Sequence, residues 1–336
     1  MPVKTRNKPR NKDRQKKPPG YSLPKDSISF ISEELAAYSK KKPFTIYYDD
    51  PKRSIQLFKG DCIKILNQAM EKSVDMIFAD PPYFLSNGGI TCHAGKMVSV
   101  NKGKWDKSKG VEENHKFTLE WLKACQRVLK PDGTIWVSGT THIIYSIGFA
   151  MQELGYKILN DIIWDKYSVQ SKHSRKYLIS STEIFIWAAK NKKSKHYFDY
   201  QLMKKFNNGK QMRNLWRFTG EEEAKQVNIV NGLKVFASII DEKRIKKYIV
   251  QRPTDLIKRI ILASTKEGDL ILDPFCNGSA IGIVTSLLNR KYLGIMLKNK
   301  SLLNVYVQAN SCVSKDMKLQ SQPKKKFGQS KTVIYP

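Results

Sequence analysis

Acidic residues are scarce in this sequence. It carries 30 Asp and Glu against 60 Lys and Arg, a formal net charge of +30 over 336 residues. A surplus of that size points to a polyanionic partner such as nucleic acid. An AT-rich genome inflates Lys, Asn and Ile and accounts for part of the lysine, but not for so lopsided a sign. Cysteine is sparse as well. Cys62, Cys92, Cys125, Cys276 and Cys312 form no C-x-x-C pair and are odd in number. That argues against a zinc site or a disulfide framework and fits the reduced thiols of a cytosolic protein. No apolar run reaches the roughly 18 residues of a transmembrane helix, and the N-terminus lacks the apolar core of a signal peptide. A cytoplasmic, membrane-free protein is expected. No G-x-x-x-x-G-K-[ST] loop is present, which speaks against ATP-driven action.

What is present is enough for a core, since 40% of residues are apolar. Residues 1–25 are basic, proline-bearing and almost free of apolar side chains, and residues 315–336 repeat that composition around Lys324-Lys325-Lys326. Both read as disordered basic arms, suited to touching phosphates or to keeping the chain soluble. Between them strand and helix patterns alternate. Strands are predicted at Ser54–Phe58, Val74–Ala79, Thr134–Ser138, Ile158–Trp164, Glu183–Ala188, Asp269–Leu272 and Lys291–Ile295. Helices are predicted after Gly60-Asp61-Cys62 and at His115–Val128, Ile143–Leu154, Thr254–Ser264 and Gly278–Leu288. A polar loop is expected from Phe84 to about Gly110, and Lys130-Pro131-Asp132-Gly133 is a strong turn signal. From about Asn191 to Lys247 the alternation fades into a basic, aromatic stretch. The fold expected is α/β, a mainly parallel sheet covered on both faces and interrupted by an insertion.

Asp80-Pro81-Pro82-Tyr83 directly follows the buried strand Val74–Ala79. In open α/β sheets ligands bind beyond the carboxyl ends of strands. The residue types suit chemistry on an exocyclic base amine, a poor nucleophile because its lone pair is delocalised into the ring. Asp80 can accept a hydrogen bond from the amine and support the positive charge that develops there. Two prolines fix the loop and remove two N–H donors, which leaves carbonyls to accept. Tyr83 offers a flat face to a base swung out of the duplex, and Phe84 a second one. Other base chemistries are set aside: there is no Pro-Cys for attack at cytosine C5, and neither H-x-E nor P-C-x-x-C for a zinc deaminase. A second turn, Asp273-Pro274-Phe275-Cys276-Asn277-Gly278-Ser279-Ala280, also links a buried strand to a helix, and its small residues let a ligand approach the backbone.

Gly-Asp followed by a hydrophobic stretch, a strand ending in Asp-Pro-Pro-Tyr, a variable region and then Asp-Pro-Phe with a small-residue turn together resemble the beta-class DNA amino-methyltransferases. The resemblance covers roughly residues 54–310. Phe84 to Gly89, Met97 to Gly103, Trp105-Asp106, Asn208 to Met212 and Arg259 to Asp269 are most similar to the DpnA-like subgroup of restriction–modification adenine-N6 methyltransferases. It implies a Rossmann-like, S-adenosylmethionine-dependent methyltransferase fold over residues 26–314, with a catalytic half (54–165), a target-recognition region (166–250) and a cofactor half (251–310). Asp80, Pro81, Pro82 and Tyr83 are implied to be catalytic. Asp61, Asp80, Asp273, Phe275, Asn277, Gly278 and Ser279 are implied to face S-adenosylmethionine. Arg175, Lys176, Arg213, Trp216 and Arg217 are candidate contacts to double-stranded DNA. The resemblance further implies a short target such as GATC, a cognate restriction endonuclease that is not directly contacted, a monomer or homodimer, and a bacterial, nucleoid-associated location. The family's Phe-x-Gly-Ser-Gly turn is displaced here. Its ribose-binding acid is replaced by Met296, and its His-Pro-Thr-x-Lys-Pro string is reduced to Gln251-Arg252-Pro253-Thr254. Three alternatives therefore stay open: a DNA-binding homologue with weakened or lost catalysis, a cytosine-N4 enzyme, and an RNA adenine methyltransferase, against which Tyr83 in place of Trp speaks.

Overall fold

A computed structural model of the chain describes residues 45–86, 90–93, 96–99, 103, 106–166, 178, 180–218, 228–230, 233–235, 253–277 and 280–297. Both expected basic arms lie outside these residues. In chain order the described residues form β1 (Thr45–Asp50), β2 (Ile55–Lys59), α1 (Cys62–Gln68), β3 (Val74–Ala79), β4 (Ile90–His93), β5 (Lys96–Ser99), α2 (Val111–Val128), β6 (Leu129–Gly139), α3 (Ile144–Glu153), β7 (Lys157–Asp165), β8 (Thr182–Ala189), α4 (Tyr200–Phe206), β9 (Leu215–Arg217), β10 (Asn228–Val230), β11 (Leu233–Val235), α5 (Thr254–Ser264), β12 (Leu270–Asp273), α6 (Ala280–Leu287) and β13 (Lys291–Met296).

Nine strands join one sheet in the order β1-β2-β13-β12-β3-β6-β8-β7-β9. From β2 to β6 every pairing is parallel. β8 runs against both of its neighbours, and β1 runs against β2 at the edge. The chain leaves β3 towards β6 on one side and leaves β12 towards β13 on the other. The strand order therefore reverses between β3 and β12, the point where such sheets open a crevice at their carboxyl edge.

Side-chain alternation distributes two cores. Ile77 and Ala79 of β3 enter one with Ile65 and Leu66 of α1, Trp121, Leu122 and Cys125 of α2, and Ile147 and Met151 of α3. Met76 and Phe78 enter the other with Leu256, Ile257, Ile260 and Ile261 of α5 and Val284 of α6. Helices thus cover both faces, and the strands between them read as nearly continuous apolar runs. Val74 shares a face with Ile77 because the β3–β6 register shifts between Val74 and Met76.

Three expectations are corrected. Lys130 to Gly133 does not precede the strand but lies inside β6, where that register shift absorbs it. Gly133 passes so close to β3 that a Cβ on it would stand 3.0 Å from the Asp75 carbonyl oxygen. The loop after Phe84 contains the antiparallel hairpin β4–β5. The stretch from Asn191 also holds regular structure, helix α4 and strand β9, the latter pairing parallel to β7. Of the 166–250 range, β8 and β9 therefore belong to the main sheet.

Candidate active site

β3 ends at Ala79, and Asp80 turns out of the sheet beside the end of β6. One carboxylate oxygen of Asp80, Oδ1, accepts the Ser138 hydroxyl at 2.8 Å and the Tyr83 hydroxyl at 2.9 Å. Two donors on one oxygen fix the orientation of the carboxylate. Pro81 and Pro82 are buried and bring no N–H into the loop. Phe84 adopts φ of 55°, a left-handed conformation that costs a non-glycine residue ~1–3 kcal/mol.

Asp106 holds that conformation. It is fully buried, and its Oδ1 accepts the amides of Tyr83 and Phe84, each at 2.9 Å. Its Oδ2 accepts the Ser86 hydroxyl at 2.7 Å. Such charge-assisted bonds are worth ~1.5–3 kcal/mol each, enough to offset the strain at Phe84. The Phe84 ring meets Phe117 edge-on at 6.1 Å, so it packs towards α2.

A second buried acid closes on the loop from β8. Because β8 is reversed, its start lies at the edge where β6 ends. Glu183, 2% exposed there, accepts the Tyr83 hydroxyl at 3.2 Å and pairs through Oε2 with Lys166 Nζ at 2.8 Å.

The neighbouring turn follows β12. Asp273 is buried. Its Oδ1 accepts the Phe275 amide at 3.1 Å, and its Oδ2 accepts the Tyr292 hydroxyl at 3.0 Å. The half-buried Phe275 ring stands edge-on to Trp121 at 5.2 Å, and Asn277 is exposed. Asp61 caps α1 through its carboxylate, which accepts the Lys64 amide at 3.0 Å. Gly60 N–H donates to the Met296 carbonyl at 2.9 Å, so β2 and β13 end side by side. Asp61, Asp80 and Asp273 therefore stand at the ends of parallel strands along one edge. Three carboxylates and an aromatic ring suit a ligand that is cationic at one end and aromatic at the other, so the residues present fit S-adenosylmethionine.

A family profile described as "DNA methylase" matches residues 74–307. The chain belongs to this family. The methylase is 47% identical over 250 residues to the Type II methyltransferase M2.LlaDCHI of Lactococcus lactis subsp. cremoris, an alignment covering 74% of this chain and 86% of that protein. It is 46% identical to M2.DpnII of Streptococcus pneumoniae, with the same two coverages of 74% and 86%. Against M2.MboI of Moraxella bovis it is 41% identical, covering 74% and 85%. Among solved structures, M1.HpyAVI is 20% identical with a TM-score of 0.51, over 76% of this chain and 98% of that one. The PvuII cytosine-N4-specific DNA methyltransferase is 17% identical with a TM-score of 0.51, over 78% and 93%. Likeness at that identity speaks for the fold alone.

In the methylase Asp80, Pro81, Pro82 and Tyr83 form one loop, and the Asp273–Phe275 turn lies on the strand next to theirs. Gly278, Ser279, Arg175 and Lys176 lie outside the described residues. Met296 is 2% exposed and packs with Ile55, Leu57, Cys276 and Tyr292, so a core side chain occupies that strand end. Trp216 is corrected as a DNA contact. It is 5% exposed, 6.0 Å from the ring of Trp136, and covered by the Arg259 guanidinium at 5.1 Å. Arg213 and Arg217 are exposed, and Arg217 pairs with Asp165 at 2.6 Å. Sequence reasoning assigned no role to Asp106, Ser138, Lys166 or Glu183. The available signals were an acid in a basic loop, hydroxyl and carboxylate residues at strand ends, and a lysine just beyond a strand.

Proposed function

We propose that this DNA methyltransferase methylates adenine N6 at a short site in double-stranded DNA, with S-adenosylmethionine as methyl donor, as the modification member of a restriction–modification system. The observation that carries the reading is the Asp80 carboxylate at the end of β3, oriented by the Ser138 and Tyr83 hydroxyls one strand from the Asp273 turn. The relatives named Type II methyltransferases support the restriction–modification context.

When bound, S-adenosylmethionine supplies an electrophilic methyl group. Asp80 accepts a hydrogen bond from the target amine and stabilises the positive charge that grows on nitrogen. The proline loop presents carbonyl oxygens to the amine's other hydrogen. Tyr83 stacks on the extruded base, where ~1–3 kcal/mol of stacking offsets much of the cost of flipping. Asp61, Asp273, Phe275 and Asn277 line the cofactor edge, with Gly278 and Ser279 next in the same turn. Arg213 and Arg217, with Arg175, Lys176 and the basic arms, contribute phosphate contacts that weaken as salt rises. The target-recognition role falls to residues 166–250 around the sheet strands. A cognate endonuclease of the same system needs no direct contact with the chain, which acts as a monomer or homodimer.

The test is incubation with labelled S-adenosylmethionine and duplexes with and without GATC, followed by identification of the modified nucleoside. Labelled N6-methyladenine is expected, and Asp80→Ala should abolish it while leaving DNA binding nearly intact. Label recovered as N4-methylcytosine, or none at saturating cofactor, would overturn the assignment.

A further inference from the structure

The Tyr83 hydroxyl sits between two carboxylates. Asp80 Oδ1 lies 2.9 Å from it on one side and Glu183 Oε1 3.2 Å on the other. A phenol has a single hydrogen to donate, so the two acids share it in a three-centre bond. Glu183 is 2% exposed, and a charge so buried is tolerated only when paired. Its partner is Lys166, 2.8 Å away and itself 5.1 Å over the Trp164 ring. Glu183 and Tyr83 are separated by 100 positions in sequence. The reversed strand β8 brings them together.

We infer that Glu183, held by Lys166, is a positioning residue for methyl transfer. It sets the plane of the Tyr83 ring by accepting the phenol hydrogen together with Asp80 in that three-centre bond, its own charge balanced by Lys166. It touches neither base nor cofactor and acts through Tyr83. The inference rests on the reading of Asp80 to Tyr83 as the catalytic loop.

The experiment is a double-mutant cycle in single-turnover methyl transfer, combining Glu183→Ala with Tyr83→Phe. A parallel fluorescence measurement places 2-aminopurine at the target position of the duplex. Glu183→Ala should slow transfer ~10-fold or more, the scale of one lost orienting hydrogen bond to a charged group. It should also brighten 2-aminopurine, because the base stacks less well on a loosened ring. Glu183→Gln keeps an oxygen that accepts the phenol and should recover most of the rate. In the Tyr83→Phe background, which has no hydroxyl to hold, Glu183→Ala should add nothing. Losses that multiply, or a wild-type rate in Glu183→Ala, overturn the inference. If Glu183→Ala does not fold, Lys166→Met reads the same pair. It leaves an unbalanced acid beside the phenol and should slow transfer with Tyr83 present but not in Tyr83→Phe; equal loss in both backgrounds overturns the inference. Asp80→Ala, run alongside, separates the two levels. Full transfer by Asp80→Ala defeats the reading of the loop. Its loss together with a wild-type rate in Glu183→Ala defeats only the role of Glu183.

Discussion

Replacing Asp106 by alanine should disable the methylase without touching any group placed near the reacting atoms. The carboxylate is fully buried and accepts three hydrogen bonds, from the Tyr83 amide, the Phe84 amide and the Ser86 hydroxyl. Each is charge-assisted and worth ~1.5–3 kcal/mol, though the three are not additive. They oppose ~1–3 kcal/mol of strain at the left-handed Phe84. Without them the loop is free to relax towards ordinary backbone angles, and Tyr83 and Asp80 lose their mutual register. A loss of about 3 kcal/mol from the ordered loop corresponds to roughly a hundredfold in rate. Single-turnover transfer from labelled cofactor, with enzyme in excess over duplex, measures that rate directly. Fluorescence anisotropy with the same duplex should report binding within about threefold of wild type, because phosphate contacts dominate affinity. Asp106→Asn keeps an oxygen for the two amides and should lose only about tenfold. An Asp106→Ala enzyme turning over within threefold of wild type would refute the reasoning.

Two further outcomes follow from burial. Burial, reinforced by the neighbouring Asp61, pushes the Cys62 thiol up to about 12; at pH 8 roughly one molecule in ten thousand then carries the thiolate. Peptide mapping after iodoacetamide treatment of the folded protein at pH 8 should find Cys62 unmodified, with labelling appearing on unfolding or as pH rises towards 12; rapid native labelling at pH 8 would contradict that placement. Met296→Glu should lower the thermal midpoint and fail to tighten cofactor binding, because the new carboxylate enters the cluster of Ile55, Leu57, Cys276 and Tyr292, where an unpaired charge is costly. Calorimetric titration with S-adenosylmethionine checks the second half, and a tighter dissociation constant in this variant would mean that the strand end opens to the ribose.

Much of the scaffold was legible because its strands are buried on both faces. β3, predicted at Val74–Ala79, and α5, predicted at Thr254–Ser264, are found at those bounds. An unbroken apolar run and a helical apolar period are local signals that packing reinforces. Lys130 to Gly133 misled because turn propensity is also local, whereas pairing of Leu129 with Val74 is not. Trp216 misled in the same way: flanking arginines suggest a nucleic-acid surface, and only the sheet reveals that strand β9 carries the ring into the core. The catalytic loop could be read as a string, but its supports could not. Asp106, Ser138 and Glu183 reach it across 23, 58 and 100 positions. Nothing in the neighbourhood of each along the chain announces such a contact.

The pairing of β12 with β3 separates order along the polypeptide from order in space. Leu272, late in the chain, lies in register with Ile77, written much earlier, so a strand written late sits beside the central strand of the sheet. The two strand ends that frame the crevice are brought side by side by backbone hydrogen bonds, whichever was synthesised first. A polypeptide in which the β12 segment preceded the β3 segment would form the same crevice from the same ladder. Rearrangement of the segments within a gene is thus compatible with one unchanged reaction centre.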